Sequence, residues 1–275
     1  MLTIGDTLKR ATATLMGVSG SPRLDAQLIL GRVIDKPREY LIAHSEQPLG
    51  DLDIHTFDKL LTLRARGMPI AYILGQRGFY DRSFKVTPHV LVPRPETEHI
   101  VEAALAWAEG RGSIRLVDVG TGSGAIAVTL AAHLPDSVVI ATDISRAALV
   151  VAQNNAEGVT NIRFVQADLL SPLRGPFDVI ATNLPYIATG DIGLLEVAKF
   201  EPHVALDGGV DGLTHIRRFL QQAPSRLVRP GLLLMEIAVD QATVVTALAQ
   251  TLFPGASVGI LKDYAKLDRV LRVEQ

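Results

Sequence analysis

Three short stretches of the chain hold residue types at spacings that could do chemistry. Gly120, Thr121, Gly122, Ser123 and Gly124 follow an apolar run and lead straight into a helix-like one. Alternating glycines let the backbone turn sharply and let a ligand lie against main-chain atoms where a Cβ would collide. N–H groups at the start of the following helix can then serve that ligand. Asp143 closes a second apolar run, 138–143, where a carboxylate can accept hydrogen bonds from both hydroxyls of a ribose. A third run, 178–182, delivers Asn183, Leu184, Pro185 and Tyr186. The Asn183 side-chain oxygen and the Leu184 carbonyl are two acceptors that together can grip an NH₂ group. Pro185 restricts the backbone of Leu184, and Tyr186 offers a flat face to a planar amide or base.

Such a grip suits methyl transfer to a planar nitrogen. An amide nitrogen is a poor nucleophile because its lone pair is delocalised, and acceptors that stabilise the charge developing on the NH₂ favour attack on a sulfonium methyl without a strong base. The glycine loop itself has two readings. Gly120, Gly122 and Ala125 satisfy the dinucleotide spacing, whereas Gly120, Gly122 and Gly124 give the spacing associated with S-adenosylmethionine. The dinucleotide reading, a nicotinamide-dependent dehydrogenase, leaves 183–186 without a use. Asp168 ends a further apolar run and reads either as a solvated loop entry or as a ligand contact.

Elements of alternating type must position these residues. Strands are predicted over 114–119, 138–143, 162–166, 177–182, 232–237, 257–261 and 270–273, with helices after the glycine loop and over 146–156, 215–227 and 241–252. Alternation of this kind requires crossover connections, and so an α/β, Rossmann-like domain with a mainly parallel sheet over 96–275. Residues 1–75 read instead as helices over 3–16, 22–33, 37–44 and 53–66, a small all-helical domain. His44 and His55 stand alone there, so the domain is expected to dock a partner rather than to react. A β-hairpin linker is expected over 76–95. The acids Glu96 and Glu98 fall at the start of a helix that runs to about residue 109, and the helix dipole accounts for them. Asp207 to Asp211 lacks the spacing and terminal acid of a calcium loop, so no metal is expected.

Composition narrows the class. The 275 residues are 48% hydrophobic and 20% charged, enough for a sizeable core and two domains. No apolar run is long enough to span a bilayer, and the first residues lack a basic region followed by an apolar signal core. Without cysteine there are no disulfides or thiolate metal sites. A formal net charge of −2 argues against a general nucleic-acid binder. A cytoplasmic monomer with no membrane or direct nucleic-acid partner is the expectation.

Taken together, the motifs resemble one family over nearly the whole chain: Arg23 to Ala26, Leu91 to Glu98, Asp118 to Gly124, Asn183 to Tyr186, Glu201-Pro202 with Ala205 to Gly212, and Asp263-Tyr264 with Asp268-Arg269. The chain is similar to the release factor glutamine methyltransferases, which methylate the side-chain amide of the glutamine in the Gly-Gly-Gln motif of class 1 peptide chain release factors. The resemblance implies that Gly120 to Gly124 lie against the methionine part of S-adenosylmethionine, Asp143 holds the ribose, and Asp168-Leu169 border the adenine. It also implies that Asn183 contacts both cofactor and substrate, with Leu184, Pro185 and Tyr186 completing the glutamine site and a release factor as partner. One position departs. The family usually has Asn-Pro-Pro-Tyr, and leucine at 184 looks more like the ribosomal RNA adenine dimethyltransferases, which keeps an RNA adenine methyltransferase as the alternative.

Overall fold

The computed structural model describes residues 2–275. Two compact units divide the chain, one ending at Gln76 and the other running Arg77–Gln275. The first consists of α1 (Ile4–Leu15), α2 (Pro22–Ile34), α3 (Arg38–Ala43), α4 (Asp51–Ala65) and α5 (Ile70–Leu74). Thr3 caps α1 and exchanges hydrogen bonds with Asp6, and Pro22 occupies the first turn of α2, where a missing N–H costs nothing. Ile4, Leu15, Ile29, Leu30 and Phe57 are fully buried at its centre. Helix α5 was not expected, because Gly67 and Pro69 end α4. Pro69 also stands at the N-cap of α5, so one proline closes a helix and opens the next. Asp25, at the heart of the Arg23–Ala26 motif, is buried and pairs with Arg64 at 2.7 Å while accepting from the Ser19 hydroxyl, also at 2.7 Å. That motif is therefore a structural lock within the helical unit.

In the second unit, β1 (Gln76–Phe79) and β2 (Arg82–Lys85) form a two-stranded sheet about a turn with left-handed Tyr80. The remainder of 86–94 is not strand. There follow α6 (Glu98–Ala108), β3 (Arg115–Val119), α7 (Ala125–His133), β4 (Val138–Asp143), α8 (Arg146–Asn155), β5 (Ile162–Gln166) and β6 (Phe177–Thr182). The chain continues through α9 (Thr189–Ile192), α10 (Thr214–Gln222), β7 (Leu227–Glu236), α11 (Ala242–Leu252), β8 (Ser257–Lys262) and β9 (Asp268–Glu274). Seven strands pair in the order β5-β4-β3-β6-β7-β9-β8. The first five are parallel, and β9 joins β7 antiparallel. Alternate strand residues feed two cores. Leu116, Val179 and Leu232 pack with α6 and α7, while Val117, Ile180 and Leu233 pack with α10 and α11. The helix expected over 215–227 stops at Gln222, because Pro224 removes a donor and shapes a 3₁₀ turn over Ala223–Ser225. Strand β7 then begins five residues before the expected 232, at Leu227.

Two buried acids, Asp118 in β3 and Glu236 in β7, interrupt these apolar strands on the α6/α7 side. Asp118 is fully buried and accepts from Thr121 Oγ1 at 2.6 Å and Ala127 N at 3.2 Å through one oxygen, Oδ2. Gly124, at the N-cap of α7, has no side chain to offer, so the aspartate takes over a cap's work for the third helical N–H. Its other oxygen, Oδ1, is buried without a partner. Burial pushes the Asp118 carboxyl up to about 7, against the opposing pull of Thr121 and Ala127. The folded state therefore holds a proton that the unfolded chain releases near pH 4, so the contribution of Asp118 to stability is full below pH 4 and is lost as pH rises through 7. Asp118→Asn keeps an oxygen for both donors and removes the titration. Chemical denaturation from pH 5 to 7 should show wild-type stability falling, relative to this variant, by about 1 kcal/mol per pH unit. Parallel stability curves for the two proteins would refute the assignment.

Candidate functional site

Parallel register carries the three chemical stretches to one edge of the sheet. Val119 pairs with Thr142 on one side and Thr182 on the other, so the next residues, Gly120, Asp143 and Asn183, leave their strands at the same level. Thr182 pairs in turn with Met235, which places Glu236 at that level too. The connections leave β3 and β6 in opposite directions across the sheet, and a crevice opens between them at the carboxyl ends. A cavity there is lined by Gly120 to Ser123, Asp143, Asp168, Leu169 and Asn183 to Pro185.

Gly120, Gly122 and Gly124 all have left-handed φ, at 72°, 56° and 85°, a conformation that a side chain would strain. At Gly124 a Cβ would also come within 3.0 Å of Val128 and 3.2 Å of Ala152, so its absence lets α7 and α8 approach. The loop is tied down from β4: Thr121 N donates to the Thr142 carbonyl at 2.7 Å, and Gly122 N donates to Asp143 Oδ2 at 2.9 Å. The second Asp143 oxygen accepts from Ser145 N at 2.8 Å. Burial raises the Asp143 carboxyl above the ordinary aspartate value, and the N–H groups of Ser145 and Gly122 work in the other direction. Each carboxylate oxygen has lone-pair capacity beyond one N–H, so the group can serve the loop and a diol together.

Asp168 lies at the mouth of the cavity, its half-exposed carboxylate 2.6 Å from Arg218 Nη2. Leu169 adopts a left-handed φ of 54°, and the next N–H, of Leu170, donates to Gln222. On the other side of the glycine loop, Asn183 Nδ2 donates to Thr97 Oγ1 at 3.1 Å, and Thr97 Oγ1 donates to Glu236 Oε2 at 2.5 Å. Tyr186 does not line the cavity. Its hydroxyl donates to Glu236 Oε1 at 3.2 Å, and burial raises its pKa. Among the described residues, neither the Asn183 side-chain oxygen nor the Leu184 carbonyl receives a protein hydrogen bond. The Leu184 side chain is 4% exposed and packs in the core beneath the loop, where a Cβ on Gly120 would lie 3.5 Å from it.

Glu236 and Arg218 are not singled out in the sequence reading, and Thr97, Arg94 and Glu201 fall in the motifs 91–98 and 201–202 without a role assigned to them. Glu236 is the only charged residue in the apolar run 232–237, and an acid in such a run must find partners when buried; that signal was there to be used. Arg94 Nη2 meets both oxygens of Glu201, at 2.8 and 2.6 Å, and Glu201 is buried. Burial raises the Glu201 carboxyl while Arg94 lowers it. Arg94 and Thr97 both line the cavity, so the segment before α6 forms one wall of it. Asp207 accepts from Thr189 and Gly209, and Asp211 pairs with Arg217, which commits both acids to shaping their own loop.

Residues 6–75 match the family described as PrmC N-terminal domain, and residues 104–200 match the methyltransferase small domain. A release factor glutamine methyltransferase of Neisseria gonorrhoeae is 43% identical over 261 residues, 93% of this chain and 94% of that protein. Another, of Moorella thermoacetica, is 42% identical over 97% of this chain and 95% of its own length. Among solved structures, a methyltransferase from Pyrococcus furiosus superposes with a TM-score of 0.52 at 21% identity, over 70% of this chain and 87% of that one, a likeness of fold. With identity of this order along almost its whole length, the chain belongs to the release factor glutamine methyltransferase family.

Proposed function

We propose that the chain methylates the side-chain amide nitrogen of the glutamine in the Gly-Gly-Gln motif of class 1 release factors, with S-adenosylmethionine as methyl donor. The observation that carries the reading is that Asn183 and Leu184 line the same cavity as the glycine loop and Asp143, and that the side-chain oxygen of the first and the carbonyl of the second accept no hydrogen bond from the protein among the described residues. When bound, S-adenosylmethionine supplies an electrophilic methyl on sulfur. Its methionine part suits the left-handed glycine loop, its ribose the Asp143 carboxylate, and its adenine the Asp168-Leu169 turn. Asn183 and Leu184 would accept the two N–H groups of the substrate amide, orient its lone pair, and stabilise the positive charge that builds on nitrogen as the N–C bond forms and the methyl–sulfur bond breaks, the sulfur leaving as a neutral thioether with the electron pair. One amide proton is then lost to water. Neither acceptor has to ionise, so no strong base takes part. Pro185 limits the freedom of the Leu184 backbone, and Tyr186 supports the turn through Glu236.

The alternative, an RNA adenine methyltransferase, drew its support from leucine at 184. That side chain is largely buried and packs in the core beneath the glycine loop, and the acceptor proposed at this position is main chain, so the residue type says little about which planar nitrogen is gripped. The helical unit, which carries no chemical cluster, serves to dock the release factor. No described helix is long and apolar enough to cross a membrane, and a cytoplasmic monomer acting on a protein, without direct nucleic-acid contact, fits the reading.

Peptide mapping after incubation with methyl-labelled cofactor and, in separate reactions, release factor and ribosomal RNA tests the substrate. The label should fall on the glutamine of Gly-Gly-Gln; label confined to RNA adenine would overturn the reading. Cofactor binding has its own test. Asp143→Ala should weaken S-adenosylmethionine binding by roughly 1–3 kcal/mol in titration calorimetry, through loss of charge-assisted hydrogen bonds to the ribose and of the tie to Gly122. Unchanged affinity would remove Asp143 from the site.

A further inference from the structure

Asn183 can help only if its oxygen, and not its NH₂, faces the amide to be methylated. The two ends of a carboxamide have nearly the same shape, so shape alone does not choose between them. We infer that Thr97 and Glu236 are positioning residues that set this choice, by a one-way chain of hydrogen bonds running from Asn183 through Thr97 to the Glu236 carboxylate. The inference rests on the amide-methylating function proposed above.

The chain has one direction for a simple reason. An ionised carboxylate only accepts hydrogen bonds, and a hydroxyl has one hydrogen. Glu236 is 1% exposed, and burial raises its carboxyl while the Thr97 and Tyr186 hydroxyls and the Arg269 charge favour the ionised form; in that form its two oxygens are met by Thr97 Oγ1 at 2.5 Å and the Tyr186 hydroxyl at 3.2 Å, and both hydroxyls donate to it. Thr97, 5% exposed, has then spent its hydrogen and can only accept from Asn183, 3.1 Å away. Asn183 must therefore turn Nδ2 towards Thr97, which leaves Oδ1 as the group offered to the cavity. Neither positioning residue needs to touch the reacting atoms. Replacing Glu236 by glutamine inverts the logic, because a glutamine NH₂ in place of Oε2 donates to Thr97, frees the Thr97 hydrogen for Asn183 Oδ1, and swings the wrong end of the carboxamide into the cavity.

Single-turnover methylation of a release factor at saturating cofactor tests the chain. Glu236→Gln and Thr97→Val, both close in shape to the native residues, should each lower the rate at least tenfold, since a misdirected acceptor is equivalent to loss of one preorganised partner. S-adenosylmethionine affinity should stay within about threefold, as expected for residues outside the ribose and methionine contacts. Thr97→Ser, which keeps the hydroxyl, should remain within about threefold of wild type by the same reasoning. A double-mutant cycle separates positioning from general support: in an Asn183→Ala background, with no carboxamide left to orient, Thr97→Val should cause no further loss. Equal losses in both backgrounds, or full rates for both single variants beside an active wild type, would overturn the inference and leave the proposed function standing. A wild type that methylates no release factor would overturn the proposed function, and the inference with it.

Discussion

Parallel pairing of β4, β3 and β6 is the constraint on which the rest of the structure depends. Because Val119 sits level with Thr142 and with Thr182, three residues far apart in the chain, Gly120, Asp143 and Asn183, emerge side by side. A one-residue slip in any of these strands would turn its side chains to the opposite face, and the buried residues of these strands are apolar apart from Asp118, Thr142 and Thr182, each of which makes at least one specific hydrogen bond. The register is thus held by the two cores, and the site inherits its geometry from them. Fixing the strands first means that the loops need only short-range devices: a Gly122 N–H on Asp143, a Thr121 N–H on the Thr142 carbonyl, and left-handed glycines where the backbone turns.

Polar groups buried beneath this edge do local work that apolar ones could not. Asp118 caps a helix whose own N-cap is glycine, and that glycine is needed for the close approach of α7 and α8. Asp118 is left with one unpartnered oxygen and a carboxyl poised near neutrality. Glu236 sits on the same face of the sheet, one strand beyond Asn183, and gathers Thr97 and Tyr186. Glu201 is buried as well and pairs with the partly exposed Arg94, which lines the cavity. Burial raises all three acids, Asp118, Glu201 and Glu236, so each is costly to ionise, and in each case named donors offset that cost.

Much of this was legible in the sequence, for identifiable reasons. The central strands are unbroken apolar runs ending in glycine, aspartate or asparagine, and buried parallel strands have that appearance. Errors fell where a local signal has two meanings. Pro224 breaks a helix that the apolar spacing alone carries to 227, and Pro69 both ends one helix and opens another. Tyr186 is expected to offer its ring to the ligand because an aromatic beside a turn can stack, and its hydroxyl also finds a carboxylate 50 positions along the chain, which no local pattern reveals. Thr97 lies between two acids that helix-end electrostatics already explain, so although the motif 91–98 includes it, nothing in its residue type assigns it a role in the site. Leucine at 184 carries less information about substrate than its type suggests, because its side chain packs in the core beneath the glycine loop.

At the centre of the account are two uncharged acceptors, a side-chain oxygen at 183 and a main-chain oxygen at 184. Single-turnover rates of Asn183→Ala and Leu184→Pro on a release factor, each at saturating cofactor, compare them directly. Asn183→Ala should fall by about a hundredfold or more, as for removal of one preorganised transition-state partner. Leu184→Pro, which keeps the carbonyl and restores the residue usual in the family, should stay within about tenfold, a barrier change of roughly 1.4 kcal/mol. An Asn183→Ala enzyme as fast as wild type, or a Leu184→Pro enzyme slowed as severely as Asn183→Ala, would contradict the account.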